Sequence, residues 1–358
     1  MQRADCTEHL AGVLDRYTES RLPGLQYIVI EADGELFEYA GGWADIGKKS
    51  AMTHDTTMMA CSMTKTFTAV AILQLVEQGR VGLHSEIDRY LPGIPYAGRQ
   101  ITIRQLLTHT SGIPNPLPLR WAHLVEDDAS FDESAALARV LLENQKLAFE
   151  PGRKYAYSNI GYWLLGKIVE QLAGESYPDY VRKHILSPLS VSKGELDFVI
   201  PDKTRHANGY LPKYSLMNLL RGYLTDRKFR GEYEDRWLQI KSHYLNGPAF
   251  GGLIGTARSF SRFLQDQLHQ ESVLFSRQTK RLMETQQRNT SGDLIPMTYG
   301  WHAGAADGTL YLFKEGGGAG FHSEMRLYLQ NGVASVVMAN SSSFNSTGFL
   351  NRYDRKFL

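Results

Sequence analysis

The stretches that can form strands lie at the two ends of this chain, and the stretches that can form helices lie between them. Near the start, 25–31 and 35–39 are apolar, β-prone runs joined through Asp33-Gly34, a dipeptide suited to a tight hairpin. Near the end, 299–303, 310–313, 321–329 and 333–339 read as strands, with Asp307-Gly308 and Asn331-Gly332 supplying turns between them. Hairpins so far apart satisfy their edges most simply by joining one sheet. The expected fold is therefore α/β of the α+β type: an antiparallel sheet built from both chain ends, flanked by helices, with a mainly helical domain inserted. The corresponding division is 1–80 and 248–358 for the α/β part and 81–247 for the insertion.

Helical spacing supports that middle. The segments 66–78, 102–108, 132–143, 159–172 and 177–186 are helix candidates, the first ending at Gly79, a favourable residue just past a helix. Leu10, Val13, Leu14 and Tyr17 mark an amphipathic helix before the first strand. The segment 211–246 carries Tyr214, Tyr223, Tyr233, Trp237 and Tyr244 among basic residues, and reads either as a helical excursion over the surface or as a lid over a substrate site.

With 358 residues, 42% hydrophobic, 22% charged and a net charge of +1, the chain is of globular composition, with no basic surface that would suggest nucleic acid. No apolar run is long enough to span a membrane, and the charged first 22 residues do not resemble a signal peptide, so a cytoplasmic location is the expectation. Cys6 and Cys61 make no disulfide framework and read as free thiols. The 11 histidines form no ligand-spaced pair, so neither a metal nor another cofactor is expected. Residues 161–167 match the glycine-and-lysine frame of a phosphate loop, but Ile168 stands where a hydroxyl must hold magnesium.

Ser62 and Lys65 are three residues apart at the start of a helix candidate, where they share a face. A serine hydroxyl needs a neighbouring base to become a nucleophile, and a lysine with a depressed pKa can be one. Alone, the pair reads equally as a serine helix cap. Two other stretches keep it company: Tyr157-Ser158-Asn159 before a helix, and Lys314-Glu315-Gly316 between strands, followed by Gly317 and Gly318.

Taken together, these residues resemble the serine β-lactamase and penicillin-binding protein superfamily. The likeness is closest to the branch of class C β-lactamases, D-aminopeptidases, DD-peptidases and β-lactamase-like esterases. Ser62 to Lys65 fits its S-x-x-K motif and Tyr157 to Asn159 its Y-x-N motif, and the third motif, K-[TS]-G or H-x-G, falls on Lys314-Glu315-Gly316. Leu106 to Gly112, Phe149 to Gly152, Gly251-Gly252-Leu253 and Tyr299-Gly300-Trp301 add familiar flanking phrases.

The resemblance implies an acyl-enzyme on Ser62, with Lys65 or Tyr157 moving the proton, and Asn159, Lys314 and Gly316 at the substrate. The backbone N–H groups of Ser62 and Gly317 would form the oxyanion hole. Neighbouring cations should depress the lysine pKa and favour a phenolate at Tyr157. Glu315 departs from the family's Thr or Ser, whose hydroxyl helps hold a substrate carboxylate. In the cleft it would repel such a carboxylate; the other reading turns it away to pair with a surface base. The expected activity is that of a carboxylesterase on a small-molecule ester. The alternatives are a D-aminopeptidase or D-amino-acid amidase, a weak β-lactamase or DD-peptidase, and, in another class, a penicillin-binding or sensor module that acylates without turnover. His109 is expected to organise a loop rather than carry protons, and oligomeric state is left open.

Overall fold

A computed structural model describes residues 2–116, 121–215, 218 and 226–358, with the side chains of 2–7, and so of Cys6, outside the description. Its main sheet has seven strands, in the spatial order His302–Ala306, Thr309–Gly318, Phe321–Tyr328, Val333–Ala339, Gly24–Glu31, Gly34–Asp45 and Ser50–Ala51. The two ends of the chain meet inside it: Gly24–Glu31 runs antiparallel to Val333–Ala339, with Leu25 opposite Ala339 and Glu31 opposite Val333. The Asp-Gly and Asn-Gly turns work as expected, Gly308 and Gly332 taking φ of 80° and 67°, which a β-carbon would oppose.

Both faces of the sheet are covered. One carries Tyr27, Val29, Phe37, Tyr39 and Val337 against Leu10 and Leu14 of the Gln2–Arg21 helix and Phe349 and Leu350 of the Ser346–Tyr353 helix. The other carries Ile28, Met325, Val336 and Met338 against the Thr64–Glu77 and Ala257–Leu268 helices, where Phe67 stacks on Phe263 at 4.3 Å. The Gly24–Glu31 strand is buried at every residue but the last, as a central strand between two helical layers must be.

Several elements depart from their sequence expectation. The Thr64–Glu77 helix is buried on all sides from Thr64 to Leu75, not on one face, because a second helical layer closes over it. The strand expected over 299–303 begins at His302; Gly300, with φ of 91°, turns the chain where a β-carbon would lie 2.5 Å from that of Ala69. The 177–186 helix divides into an α-helical Tyr177–Val181 and a wider π-helical turn, Arg182–Leu186.

The helical reading of 211–246 gives way to strands over most of its described part, a 3-10 turn Arg227–Phe229 and the helical residue 218 excepted. Strands Gly209–Pro212, Arg230–Glu234 and Trp237–Ile240 form a three-stranded sheet, each strand carrying one aromatic residue. Leu211, Leu238 and Ile240 pack on Ala319, docking this small sheet on the turn that follows the Thr309–Gly318 strand. Residues 216–217 and 219–225 of the expected lid lie outside the described residues.

Candidate active site

Between Thr56 and Leu75 every residue is buried except Ser62. It sits on a 3-10 turn, Cys61–Met63, that runs directly into the Thr64–Glu77 helix. The turn is held from below by the chain at 249–253. Ala60 N–H donates to the Leu253 carbonyl at 2.9 Å, and Leu253 N–H to Thr64 Oγ1 at 3.0 Å. Thr68 Oγ1 donates to the Ala249 carbonyl at 2.6 Å. Cys61 takes an unusual φ of 48°, which turns its side chain inward; there burial pushes the thiol up to about 12, leaving it inert beside the hydroxyl.

Lys65 Nζ lies 3.0 Å from Ser62 Oγ and donates to the Phe250 carbonyl at 2.5 Å. Tyr157 reaches the same oxygen from the opposite wall, its hydroxyl donating to Ser62 Oγ at 2.7 Å. Two of the flanking phrases explain how Tyr157 is held. Ala148 N–H donates to the Gly112 carbonyl, Gly152 N–H to that of Thr110 and Ala156 N–H to that of His109, lacing 109–112 to 148–156. A β-carbon on Gly112 would lie 2.1 Å from the Phe149 carbonyl, so that crossing requires glycine. His109 Nδ1 accepts from Ser158 N–H at 3.1 Å while its ring lies 4.3 Å from that of Tyr157. The organising role expected of this histidine is thus a bracket on both sides of Tyr157.

Lys314 enters from the Thr309–Gly318 strand. The edge strand His302–Ala306 pairs with it only as far as Phe313, so from Lys314 onward that side of the backbone is open towards the nucleophile turn. The approach is close: a β-carbon on Gly316 would lie 2.1 Å from the Ala60 carbonyl and one on Gly318 2.7 Å from Cys61 Sγ. A β-carbon on Gly317, by contrast, would meet nothing within 4 Å, since it would point to the opposite face of the strand. Lys314 Nζ is 5.5 Å and 5.7 Å from the Tyr157 and Tyr162 ring centres, and Lys65 Nζ 4.9 Å and 5.6 Å from the same two rings. Asn159 is buried at the start of its helix, with Oδ1 unpartnered among the described residues.

Glu315 is not brought to Ser62. Side chains alternate along a strand, so Glu315 points to the face opposite Lys314. There it accepts from His322 Nε2 at 2.6 Å, and this bond holds its carboxyl below the ordinary range. The expectation of a carboxylate in the cleft gives way to the paired, half-exposed alternative.

The charges follow from burial. Burial first, and the Lys314 cation second, hold the Lys65 amine well below its usual value; burial alone brings Lys314 down to about 7. Tyr157 moves the other way: removal from water raises the phenol well above its usual value, outweighing the Ser62 hydrogen bond. The phenolate favoured by the sequence reading is therefore corrected to a protonated, donating hydroxyl, since desolvation penalises the anion more than the Ser62 hydrogen bond favours it. The arrangement offers a neutral amine and a phenol O–H to one serine oxygen. Sequence reasoning missed the Phe250 carbonyl that aims Lys65, and His302, stacked 6.4 Å from Tyr157; neither carries a residue-type signal of its own.

The sequence matches the family model described as Beta-lactamase over residues 8–357. The chain belongs to the beta-lactamase family. Within this family of serine hydrolases, it is similar to Penicillin-binding protein 4* of Bacillus subtilis (strain 168), with 26% identity over 338 residues, 93% of this chain and 71% of that protein. Protein flp of Staphylococcus aureus (strain MW2) shares 32% identity over 178 residues, 48% of this chain and 34% of that protein, so the match spans about a third of the relative. Among solved structures, the D-amino acid amidase from Ochrobactrum anthropi SV3 complexed with L-phenylalanine amide superposes with a TM-score of 0.78 at 23% identity, covering 97% of this chain and 96% of that one. The octameric penicillin-binding protein homologue from Pyrococcus abyssi gives 0.76 at 23% identity, covering 96% and 75%. The family's sheet-and-helix architecture is the one found here. Among the described residues, no helix is long and apolar enough to cross a membrane.

Proposed function

We propose that this beta-lactamase family member hydrolyses small neutral esters through an acyl-enzyme on Ser62. The observation that carries the reading is a single oxygen, Ser62 Oγ, held between Lys65 Nζ at 3.0 Å and the Tyr157 hydroxyl at 2.7 Å. Lys65, uncharged because it is buried beside a second amine, takes the serine proton as the Oγ–carbon bond forms. The backbone N–H groups of Ser62 and Gly317 receive the developing oxyanion. Tyr157, protonated and within reach, passes a proton to the departing alkoxide as its bond to the acyl carbon breaks, and Lys65 restores that proton. Water then attacks the ester on Ser62 by the same route in reverse, with Asn159 and Lys314 lining the site.

Esters are favoured because the strand presents no hydroxyl beside Lys314 to hold a carboxylate of the kind β-lactams carry: Glu315 stands there, turned to His322. The second reading is a D-amino-acid amidase, supported by the structural likeness, over 97% of this chain, to an enzyme of that name. Ser62→Ala should abolish turnover of a chromogenic short-chain ester with the melting temperature kept, and a fluorophosphonate should label Ser62. An adduct elsewhere, or undiminished turnover in the variant, removes the assignment. A burst of product with no steady state would make the protein an acyl-binding sensor, and hydrolysis confined to D-amino-acid amides would select the second reading.

A further inference from the structure

At the edge of the main sheet, beside the end of the Arg277–Glu284 helix, four leucines form a floor that the helical layer leaves partly open. Leu312 pairs with Leu327 on the neighbouring strand, and Leu310 and Leu329 lie two residues further out along the same two stretches of chain. Strand alternation puts all four on one face. Leu312 and Leu327 are buried, whereas Leu310 is 58% and Leu329 38% exposed. With Ala303, opposite Leu312 on the edge strand, they line a cavity of about 230 Å³. None of Ser62, Lys65, Tyr157, Asn159 or Lys314 lines it.

Its wall is fixed by backbone bonds. Gln287 N–H donates to the Met297 carbonyl at 2.8 Å, Ile295 N–H to that of Gln287 at 3.0 Å and Ala303 N–H to that of Pro296 at 3.2 Å. These tie the returning 285–298 chain to itself and to the edge strand, so the cavity is preformed, as small-molecule sites usually are.

The polar part of the lining is short of partners. Thr298 is fully buried, yet its Oγ1 makes no hydrogen bond among the described residues, and neither does Glu284 Oε1. Lys280, one turn back on the same helix, does not supply the bond. Its Nζ donates to the His269 carbonyl and stays 3.9 Å from Glu284 Oε1, beyond hydrogen-bond reach. Burial raises the Glu284 carboxyl above its ordinary range in spite of that amine. Glu284 is also the only charged side chain in the lining. An apolar floor under a carboxylate and a hydroxyl suits a ligand with an alkyl chain and a compact cationic head that donates and does not accept. A primary ammonium has three donors and no acceptor. A fatty acid is disfavoured, because its carboxylate would meet Glu284.

We propose that this cavity binds a primary alkylammonium ion, its head on Glu284 Oε1 and Thr298 Oγ1 and its chain along the leucine floor. Two residues along a strand span about 7 Å, which a chain of about six carbons covers. The site is separate from the reaction at Ser62 and stands whether or not that reaction is ester hydrolysis.

Calorimetric titration of the full chain with n-alkylammonium ions from propyl to octyl tests it, against alkanols and alkanoates of matched length. Affinity should rise about three- to fourfold per methylene as far as hexyl and then level off. Hexanol should bind about tenfold more weakly or worse, and hexanoate should not bind. Glu284→Gln should weaken hexylammonium binding by about tenfold or more and leave hexanol binding within twofold. Leu310→Ser, at an exposed strand position, should flatten the chain-length series, and it decides the matter where Glu284→Gln lowers the melting temperature. No heat of binding at about 10 mM, hexanol bound as tightly as hexylammonium, or binding that both variants keep overturns the site. Self-association of the protein that Leu310→Ser abolishes also overturns it, making the leucines a face between two copies of the chain.

Discussion

The two faces of the main sheet bury charge in opposite ways. On the face towards the helical layer, Lys65 and Lys314 are fully buried near each other, and Lys314 Nζ has no hydrogen-bond partner among the described residues. On the other face, Glu324, Arg326 and Asp354 are as deeply buried, and the oxygens and nitrogens of that network are occupied. Arg326 Nε donates to Glu324 Oε1 at 2.6 Å, while Ser346 and Thr347 hydroxyls donate to its other oxygen at 2.8 and 2.9 Å. Asp354 accepts from Tyr27, Tyr328 and Ser335, each at 2.7 Å. Burial costs the same on both sides. Where opposite charges and hydroxyls answer it, it holds the terminal helix to the sheet; where no opposite charge answers it, it lowers the amine pKa values, as the proposed base requires.

Substitutions that exchange stability for activity sharpen this contrast. Lys65→Met should reduce acylation of Ser62 by about 10³-fold or more, read as the rate of fluorophosphonate labelling. Its melting temperature should hold or rise, since a buried amine is replaced by an apolar chain. A labelling rate within tenfold of wild type would make Tyr157 the base instead. Arg326→Met leaves Glu324 buried without its cation and should cost about 3–5 kcal/mol in denaturant unfolding. The kcat of the protein that remains folded should be unchanged; a kcat loss as large as that of Lys65→Met would erase the division between the faces.

Lys314→Met tests the link between the two amines. If Lys65 is the base, as proposed, activity needs it unprotonated, so it rises with pH as that amine loses its proton and falls as pH drops through the same value. The Lys314 cation is one cause of the low Lys65 pKa, and it is itself half-protonated at about 7. Removing it raises the Lys65 pKa, and the acid limb of kcat/KM should move up by roughly one pH unit. A limb that moves down, or stays, would mean that burial alone sets the base. The smallest effect is expected at Glu315→Thr. With its carboxylate turned to His322, neutral-ester turnover should change by no more than about twofold. A larger gain on a cephalosporin would show that the side chain does swing into the cleft.

Much of this was legible beforehand for identifiable reasons. Hairpin turns announce themselves through Asp-Gly and Asn-Gly, and a sheet completed by both chain ends follows from where they fall. Ser62, Lys65, Tyr157, Asn159 and Lys314 could be singled out as candidates because three short motifs occur in order on suitable elements, and the fold brings Lys65 and Tyr157 to Ser62. What escaped were properties of the surroundings. The helical reading of 211–246 failed because its strands are only three to five residues long, too short to show a period before their pairing partners are known. The Tyr157 pKa was misjudged because a list of nearby cations contains no measure of desolvation.

The sequence by itself therefore determined which groups the site contains and the sheet that carries them, since turn chemistry, spacing and residue type are local properties. Tertiary structure alone decided how those groups behave. Strand alternation sent Glu315 to the far face and left Lys314 on the near one, and packing removed water from Lys65 and Tyr157. Burial and convergence are made by residues far apart in the chain, and a pKa is set by what surrounds a group rather than by what the group is.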